Sequence, residues 1–584
     1  MRDDGFPLHV LREYALIADG ERGVLVGPRG EHAWMCAPAW DSDAVFCALL
    51  GGPGLYAVTP ADDRFVWGGR YEPRSLIWRN RWVTGSQILE CREALAMPAD
   101  PATAVVLRRI EAVDGATRVE VVLDPRAGYG RHRLNHVRCH DGVWLARCGP
   151  LHLRWSGAPD AHDAESGGLA ATIDVADGAG HDLVLEISEH PLTGDPPAAD
   201  QLWRATETAW HDAVPPITGT VADRDARHAL AVLRGMTSRS GAMVAGGTTC
   251  LPERAEGNRN YDYRFAWIRD QAFAGQAVAA LGPHPLLDDA VGFVAERLLE
   301  DGPGLRPAYT VRGGSVPPER KLDLPGYPGA HPQIGNRARD QFQLDAFGES
   351  LLLFAAAARH DRLDAERWQA ARTAVDAIAA RHAEPDAGIW EIEPRRWTHS
   401  RLTCVAGLRA ISRWAPRAQA APWNALADRI LAEAEPECLH PSGRWRRAPD
   451  DDGVDAALVL PGVRGAVPAD DPRHRATLAA VLDELSEDEF VYRFRVDGLP
   501  LGEGEGAFLL CGFAVSLALH QQGDTLRAAR LFERSRSACG SPGLLAEEYD
   551  VAQRQLRGNL PQAFVHAMLL EAARRLADSP DHPV

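Results

Sequence analysis

The sequence predicts a β domain followed by an α domain: an antiparallel β-sandwich over residues 1–215, then an (α/α)6 barrel over residues 216–584. Three observations lead there. Apolar residues alternate in short runs up to about residue 215 and afterwards recur at helical spacing. The stretch AVPPITGT at 213–220, with paired prolines among small residues, reads as the linker between the two patterns. Beyond it come about twelve helical segments, and loops rich in aromatic and charged residues precede every second one.

The strand-like runs are GVLVG, YEPRSLIWRNRWVTGSQILECREAL, AVVLRRIEAV, TRVEVVLDP, GVWLARCG, LHLRWSG, LAATIDVADG and DLVLEIS, each bounded by Gly, Pro, Asp or Asn. The segment GPRGEHAWMCAPAWDSDAVFCALLGG mixes Gly, Pro, Trp and Asp and reads as a loop pressed on a neighbour rather than a strand. Helices are expected near 222–238, 269–281, 286–300, 339–360, 364–382, 397–415, 422–436, 455–463, 473–486, 503–522, 524–538 and 560–577. Twelve suit six hairpins closed into a ring, with alternate helices inside. The Ala-rich second, fourth, tenth and twelfth (AFAGQAVAAL, DAFGESLLLFAAAA, GAFLLCGFAVSLAL, AFVHAMLLEAA) belong to the inner set, while the third, fifth, seventh and eleventh carry a charged face.

The unusual polar residues fall before the even-numbered helices. GNRNYDYRFAWIRD precedes the second, LPGYPGAHPQIGNRARDQFQLD the fourth, DAGIWEIEPRRWTHS the sixth, DDGVD the eighth, YRFRVDGLPLGEGEG the tenth and GLLAEEYDVAQRQLRGNLPQ the twelfth. A toroid gathers all six at one end. In the first of these loops, Tyr263 and Trp267 offer flat faces for the C–H side of a sugar ring, and Arg269 and Asp270 offer paired hydrogen bonds for its hydroxyls. Two carboxylate sites stand out in the ring: Glu391, after Trp390 in GIWE, and the Glu547–Glu548 pair in LLAEEYD. Glycosidic hydrolysis needs one protonated and one ionised carboxyl across the bond, and an apolar neighbour such as Trp390 would keep the first protonated. Blander roles exist for the same residues. An acid before a helix favours its macrodipole, and an acidic pair in a turn can simply be solvated.

Composition narrows the function classes. The net charge of −18 argues against nucleic acid, an anionic membrane or a polyanionic glycan as partner, and favours a neutral sugar. Ten scattered cysteines without CxxC or Cys/His spacing read as reduced structural thiols in a cytoplasmic chain, not as disulfides or a zinc site. The N-terminus has no secretion-signal pattern, and no apolar run is long enough to span a bilayer. GEGEG at 502–506 lacks the preceding strand and following Lys of a phosphate loop; His399 and His566 read as core histidines; HExxH, EF-hand and GxSxG motifs are absent. No cofactor or metal is expected, and a homo-oligomer is compatible with this composition.

With these residues in view, the chain resembles the bacterial and archaeal branch of glycoside hydrolase family 15, which includes glucoamylases, glucodextranases and some trehalases. The resemblance rests on IADGERGVLVGPRGEHAWMCAPAWDSDAVFCALLGG, SGAMVAGGTTCLPE, GNRNYDYRFAWIRD, GYPGAHPQIGNRARDQFQLDAFGE, GIWE, VDGLPLGEGEGAF, GLLAEEYD and GNLPQAFVH, in that order along nearly the whole chain. It implies the sandwich-plus-barrel fold and an inverting, exo-acting α-glucosidase of glucoamylase type on small α-gluco-oligosaccharides. It further implies Glu391 as general acid, Glu547 as general base, and a substrate pocket of Tyr263, Trp267, Arg269, Asp270, Trp390, Arg493 and Glu548. Inversion would set the Glu391 and Glu547 carboxyls about 6.5–9.5 Å apart. A trehalase of the same family is the alternative; an inverting phosphorylase and a non-catalytic sugar-binding protein lie further off. The chain departs from the family pattern at Gln333, where Arg is frequent before IGN, and at Ala514, where Trp is frequent. Both departures are expected on the leaving-group side, where they bear on substrate choice.

Overall fold

Among the described residues, every strand of the N-terminal region is antiparallel to its neighbours, and together they form two eight-stranded sheets. The computed structural model describes residues 6–164, 167–254, 259–496 and 499–579; Gly257 and Asn258 of the first site loop, and Asp497 and Gly498 of VDGLPLGEGEG, lie outside them. One sheet runs through Ala15–Ala18, Gly23–Val26, Glu31–Cys36, Leu55–Pro60, Thr117–Asp124, Leu169–Val175 and His162–Asp163, with Ala44–Phe46 paired to Glu31–Cys36. The other runs through Leu134–His140, Val143–Cys148, Leu151–Ser156, Gly180–Ser188, Thr103–Asp114, Ile88–Leu95, Trp78–Val83 and Val66–Tyr71.

The segment expected to be a loop on a neighbour contains two of these strands. Its alternation is hidden because both faces of Glu31–Cys36 are covered and all six residues are buried. Met35 packs into the core between the sheets, as do Ile17 and Val24, while Trp34, Leu16 and Leu25 pack into a core shared with the helices. A strand buried on both sides carries no polar face to reveal its period. The loop that follows does lie on a neighbour. Arg264, paired with Asp262, donates to the Ser42 carbonyl, and from the strand itself the Trp34 indole N–H donates to the Gly247 carbonyl.

A fifteen-residue helix, α1 (Ala199–Ala213), stands where the sequence reading continued the β region into its linker. It buries Trp203, Thr206 and Trp210, spaced as one helical face, and the Arg92 guanidinium lies 4.3 Å from the Trp203 ring. Two large apolar anchors in an otherwise polar segment are a weak periodic signal. The next twelve helices are α2 (Asp223–Gly235), α3 (Ile268–Ala279), α4 (Pro285–Asp301), α5 (Asp345–Ala358), α6 (Ala365–Arg381), α7 (Thr398–Ser412), α8 (Arg417–Cys438), α9 (Leu460–Val463), α10 (Pro472–Glu484), α11 (Leu509–Gln521), α12 (Thr525–Arg536) and α13 (Ala563–Arg575). All twelve match expected segments. The weak eighth is a 3-10 turn, Ala456–Val459, running into the single turn of α9.

Packing closes these helices into a double ring. Inside, α3 meets α5, α5 meets α7, α7 meets α9, α9 meets α11, α11 meets α13, and α13 returns to α3. Outside, α4, α6, α8 and α12 back onto α3, α5, α7 and α11, and α2 backs onto α13. This is the (α/α)6 arrangement. The inner helices are enclosed on all sides: every residue of α3 is buried, and so is every residue of α11 except its last. α12, on the outside, buries only Ala528, Leu531, Phe532 and Ser535. α7 lies inside although its sequence is polar, because the buried His399, Ser400 and Arg401 have hydrogen-bond partners in Thr403, Asp386 and Glu437.

Candidate active site

The inner ring brings its loops to one end, and a cavity of about 790 Å³, mouth included, lies among them. Its walls come from the loop before α3 (Tyr261, Tyr263, Trp267) and the start of α3 itself (Arg269, Asp270). The loop before α5 adds Asn336 and Arg337, the loop before α7 adds Ile389 to Ile392, the loop before α11 adds Arg493 and Phe508, and the loop before α13 adds Glu547 and Gln562. The loop before α9 joins indirectly: Asp455 accepts the Trp390 indole N–H at 3.0 Å and so fixes the ring beside Glu391.

Glu391 sits seven residues before α7 on left-handed backbone, φ 55°. At that distance the helix macrodipole does not reach it. A positive φ at a non-glycine residue is strained, and such strain gathers at functional positions. The side chain is 21% exposed, and its Oε1 accepts the Trp267 indole N–H at 2.6 Å, Gln343 Nε2 at 3.2 Å and Arg269 Nη2 at 3.4 Å. With three donors on Oε1, a proton on this carboxyl resides on Oε2. Trp390, expected as its desolvating neighbour, gives its N–H to Asp455 and packs edge-on against Phe508.

Asp270 is buried at the start of α3 with no partner for Oδ1 among the described residues, and burial pushes its carboxyl up to about 7. Arg269 beside it is held by Gln343 and Asp345. Arg493 is clamped by both oxygens of Glu505, at 2.8 and 2.9 Å from Nε, and lies under the Trp390 and Phe508 rings. Glu547 is buried with no donor on Oε2 among the described residues, and burial, then the charge of Glu253, raises its carboxyl well above the usual range. Cavities that combine perturbed carboxyls with aromatic walls suit acid–base chemistry on a neutral polar substrate. Among the described residues, no group of three or more His, Cys, Asp or Glu is placed to hold a metal ion.

A model of glycosyl hydrolases family 15 matches residues 228–574, more than half of the chain, and a trehalase-like N-terminal model matches residues 7–202. The chain belongs to glycoside hydrolase family 15. It is therefore a hydrolase of glycosidic bonds. It is 33% identical to a trehalase of Mycobacterium tuberculosis, over 97% of this chain and 89% of that one, and 32% identical to a trehalase of Mycolicibacterium smegmatis, over 97% and 91%. Among solved structures, a bacterial glucoamylase complexed with acarbose superposes with TM-score 0.71 across 98% of this chain and 96% of its own, at 13% identity. That likeness is one of fold.

In this family 15 enzyme the structure brings Tyr263, Trp267, Arg269, Asp270, Trp390, Glu391, Arg493 and Glu547 to one cavity. Glu548 is the exception. It begins a strand, Glu548–Asp550, so its side chain leaves the opposite face from Glu547, and its Oε2 accepts the Gly506 N–H at 2.7 Å. It holds the GEGEG loop rather than lining the cavity. Gln333 and Ala514 are also absent from the walls: Gln333 Nε2 donates to the Asn260 carbonyl, and Ala514 is buried within α11. Sequence reasoning missed Glu253, Gln343, Asp455 and Glu505. Each lay inside a quoted stretch, but nothing local distinguishes a polar side chain that orients a neighbour from one that is solvated. His399 and His566 are buried, hydrogen-bonded and shifted down to about 4 and about 3 by burial.

Proposed function

We propose that this enzyme hydrolyses α,α-trehalose with inversion, Glu391 acting as general acid and Glu547 as general base. The observation that carries the reading is the full-length similarity to two trehalases, which spans the sandwich as well as the barrel. The glucoamylase-type reading favoured by the sequence motifs takes second place, since the glucoamylase likeness rests on fold alone.

In the proposed mechanism Asp270, through its unpartnered Oδ1, and Arg269 receive hydroxyls of one glucose against the Trp267 and Tyr263 rings. Glu391 delivers its proton to the bridging oxygen as the C1–O bond breaks, and the second glucose leaves. Glu547 takes a proton from water as that water attacks C1 from the other face. The net reaction converts trehalose and water into one β-glucose and one α-glucose. Retention would yield two α-glucose, and maltose cleaved with inversion would free only β-glucose from its non-reducing ring.

The test is a panel of trehalose, maltose, isomaltose and maltopentaose, with and without phosphate, followed by proton NMR in the first minutes. Equal early signals of α- and β-glucose from trehalose, at the highest kcat/KM of the panel, are expected. Early α-glucose alone would overturn inversion, and a faster reaction on maltose would restore the glucoamylase-type reading. Glucose 1-phosphate formed only with phosphate would mark a phosphorylase.

A further inference from the structure

The segment Leu251–Glu253 lies against the hairpin that carries the proposed base. Glu547 immediately precedes the strand Glu548–Asp550, which pairs with Gln555–Arg557 in the register Glu548 to Arg557, so Gly558 stands opposite Glu547. The Gly558 N–H donates to the Pro252 carbonyl at 2.9 Å, and Asn559 Oδ1 accepts the Leu251 N–H. Gly558 has φ 81°, and a Cβ built there would meet Glu547 Cβ at 3.4 Å and Glu253 Cγ at 3.7 Å. The bare glycine face is thus flanked by both glutamates, and both line the cavity.

The same Cβ would lie 3.8 Å from Glu547 Oε2, so the two side chains run as neighbours there. Two carboxylates have no donor between them, so the contact is a hydrogen bond only when one carries a proton. The surroundings decide which. Glu253 accepts the Tyr263 hydroxyl at 3.3 Å and is ion-paired at 3.5 Å with Arg259, which it shares with Glu505, whereas Glu547 Oε2 has no donor among the described residues. The charge therefore settles on Glu253 and the proton on Glu547. The other charged or titratable groups facing Glu547 are Arg493 from the loop before α11, Asp270 from α3, Tyr263 beside Trp267, and Glu548 next to it in the chain. Arg493 offsets them only in part, because Glu505 already occupies it.

We infer that Glu253 is a positioning residue for hydrolysis: it aims the Glu547 carboxyl across Gly558 and, through its own negative charge, makes Glu547 a stronger base. This rests on the reading of Glu547 as the base. The pair titrates together, and its upper step sets the acid-side limb of the rate profile. Without the neighbouring anion Glu547 ionises more easily but takes the water's proton less well.

The experiment is the pH profile of kcat/KM on the best substrate of the panel for wild type, Glu253→Gln and Glu547→Gln, with thermal midpoints measured alongside. Glu253→Gln keeps a hydrogen-bonding partner and removes the charge. Its acid-side limb should move to lower pH by about one unit or more, and its plateau kcat should fall at least about tenfold with the thermal midpoint preserved. Glu253→Asp, which keeps the charge, should hold the limb near the wild-type position and serves if the Gln variant does not fold. An unmoved limb in a folded Glu253→Gln variant, while Glu547→Gln is inactive, overturns the role of Glu253 and leaves the base assignment standing. Substantial turnover by Glu547→Gln removes the base assignment itself, and this inference with it.

Discussion

At the scale of single residues, the two proposed catalytic carboxyls are prepared in different ways. Glu391 is fixed by three donors on one oxygen and by strained backbone; Glu547 is surrounded by burial and like charge. Glu391→Gln preserves the Trp267 contact and removes the proton. Turnover should fall by about 10²–10⁴ or more, while glucose binding measured calorimetrically stays within a few fold. Near-normal turnover would remove Glu391 from the role. Elsewhere in the barrel, Glu349 on α5 accepts Gln276 Nε2 at 3.0 Å, and burial pushes its carboxyl up to about 7. The unfolded chain releases that proton near pH 4. Between about 4 and about 7 the folded state therefore binds more protons than the unfolded one, and stability falls as pH rises until about 7. Glu349→Gln should match wild type near pH 4 and gain on it up to about pH 7, by roughly 1–4 °C, then hold that lead. A gap in thermal midpoint that does not grow with pH would contradict the shift.

At the scale of elements, glycines set how closely the inner helices approach. A Cβ on Gly348 of α5 would lie 2.6 Å from the Thr403 carbonyl carbon and 2.8 Å from Cys404 N on α7, and one on Gly407 would lie 2.4 Å from the Gly348 oxygen. These are backbone atoms, so relief requires moving a helix. Gly348→Ala should cost about 1–3 kcal/mol. Gly292→Ala on α4, where a Cβ meets nothing within 4 Å, should hold or raise stability through the better helix propensity of Ala. Paired melting curves check both, and equal effects would mean the α5–α7 contact is looser than its geometry. The barrel helices were legible because solvent leaves a polar face on the outer ones and length distinguishes the inner ones, the single turn of α9 excepted. Helix α1 and the strand Glu31–Cys36 were not, for opposite reasons: α1 has few anchors among polar residues, and the strand has no polar face.

At the scale of the whole molecule, the sandwich reaches the site through the loop before α3. Trp34 is buried in the core shared with the helices and holds the Gly247 carbonyl; next to it Gly246 donates to the Tyr263 carbonyl at 2.7 Å. Trp34 does not line the cavity. Trp34→Ala should nevertheless lower kcat/KM by tenfold or more in protein that still melts cooperatively, because the Tyr263 wall loses its backing. Unchanged kinetics would mean that the barrel orders its own site.

The sequence by itself determined the fold class, the ring of twelve helices, the family and most of the cavity. Periodicity follows from which faces meet solvent, and the site residues came in ordered motifs that a toroid gathers at one end. Only the tertiary structure decided what each carboxylate faces. It separated Glu547 from Glu548 by the alternation of a strand, assigned Trp390 to Asp455, and set Glu253 across Gly558 from Glu547. Those pairings join positions distant in sequence, and the environment of a buried charge is a property of its neighbours in space.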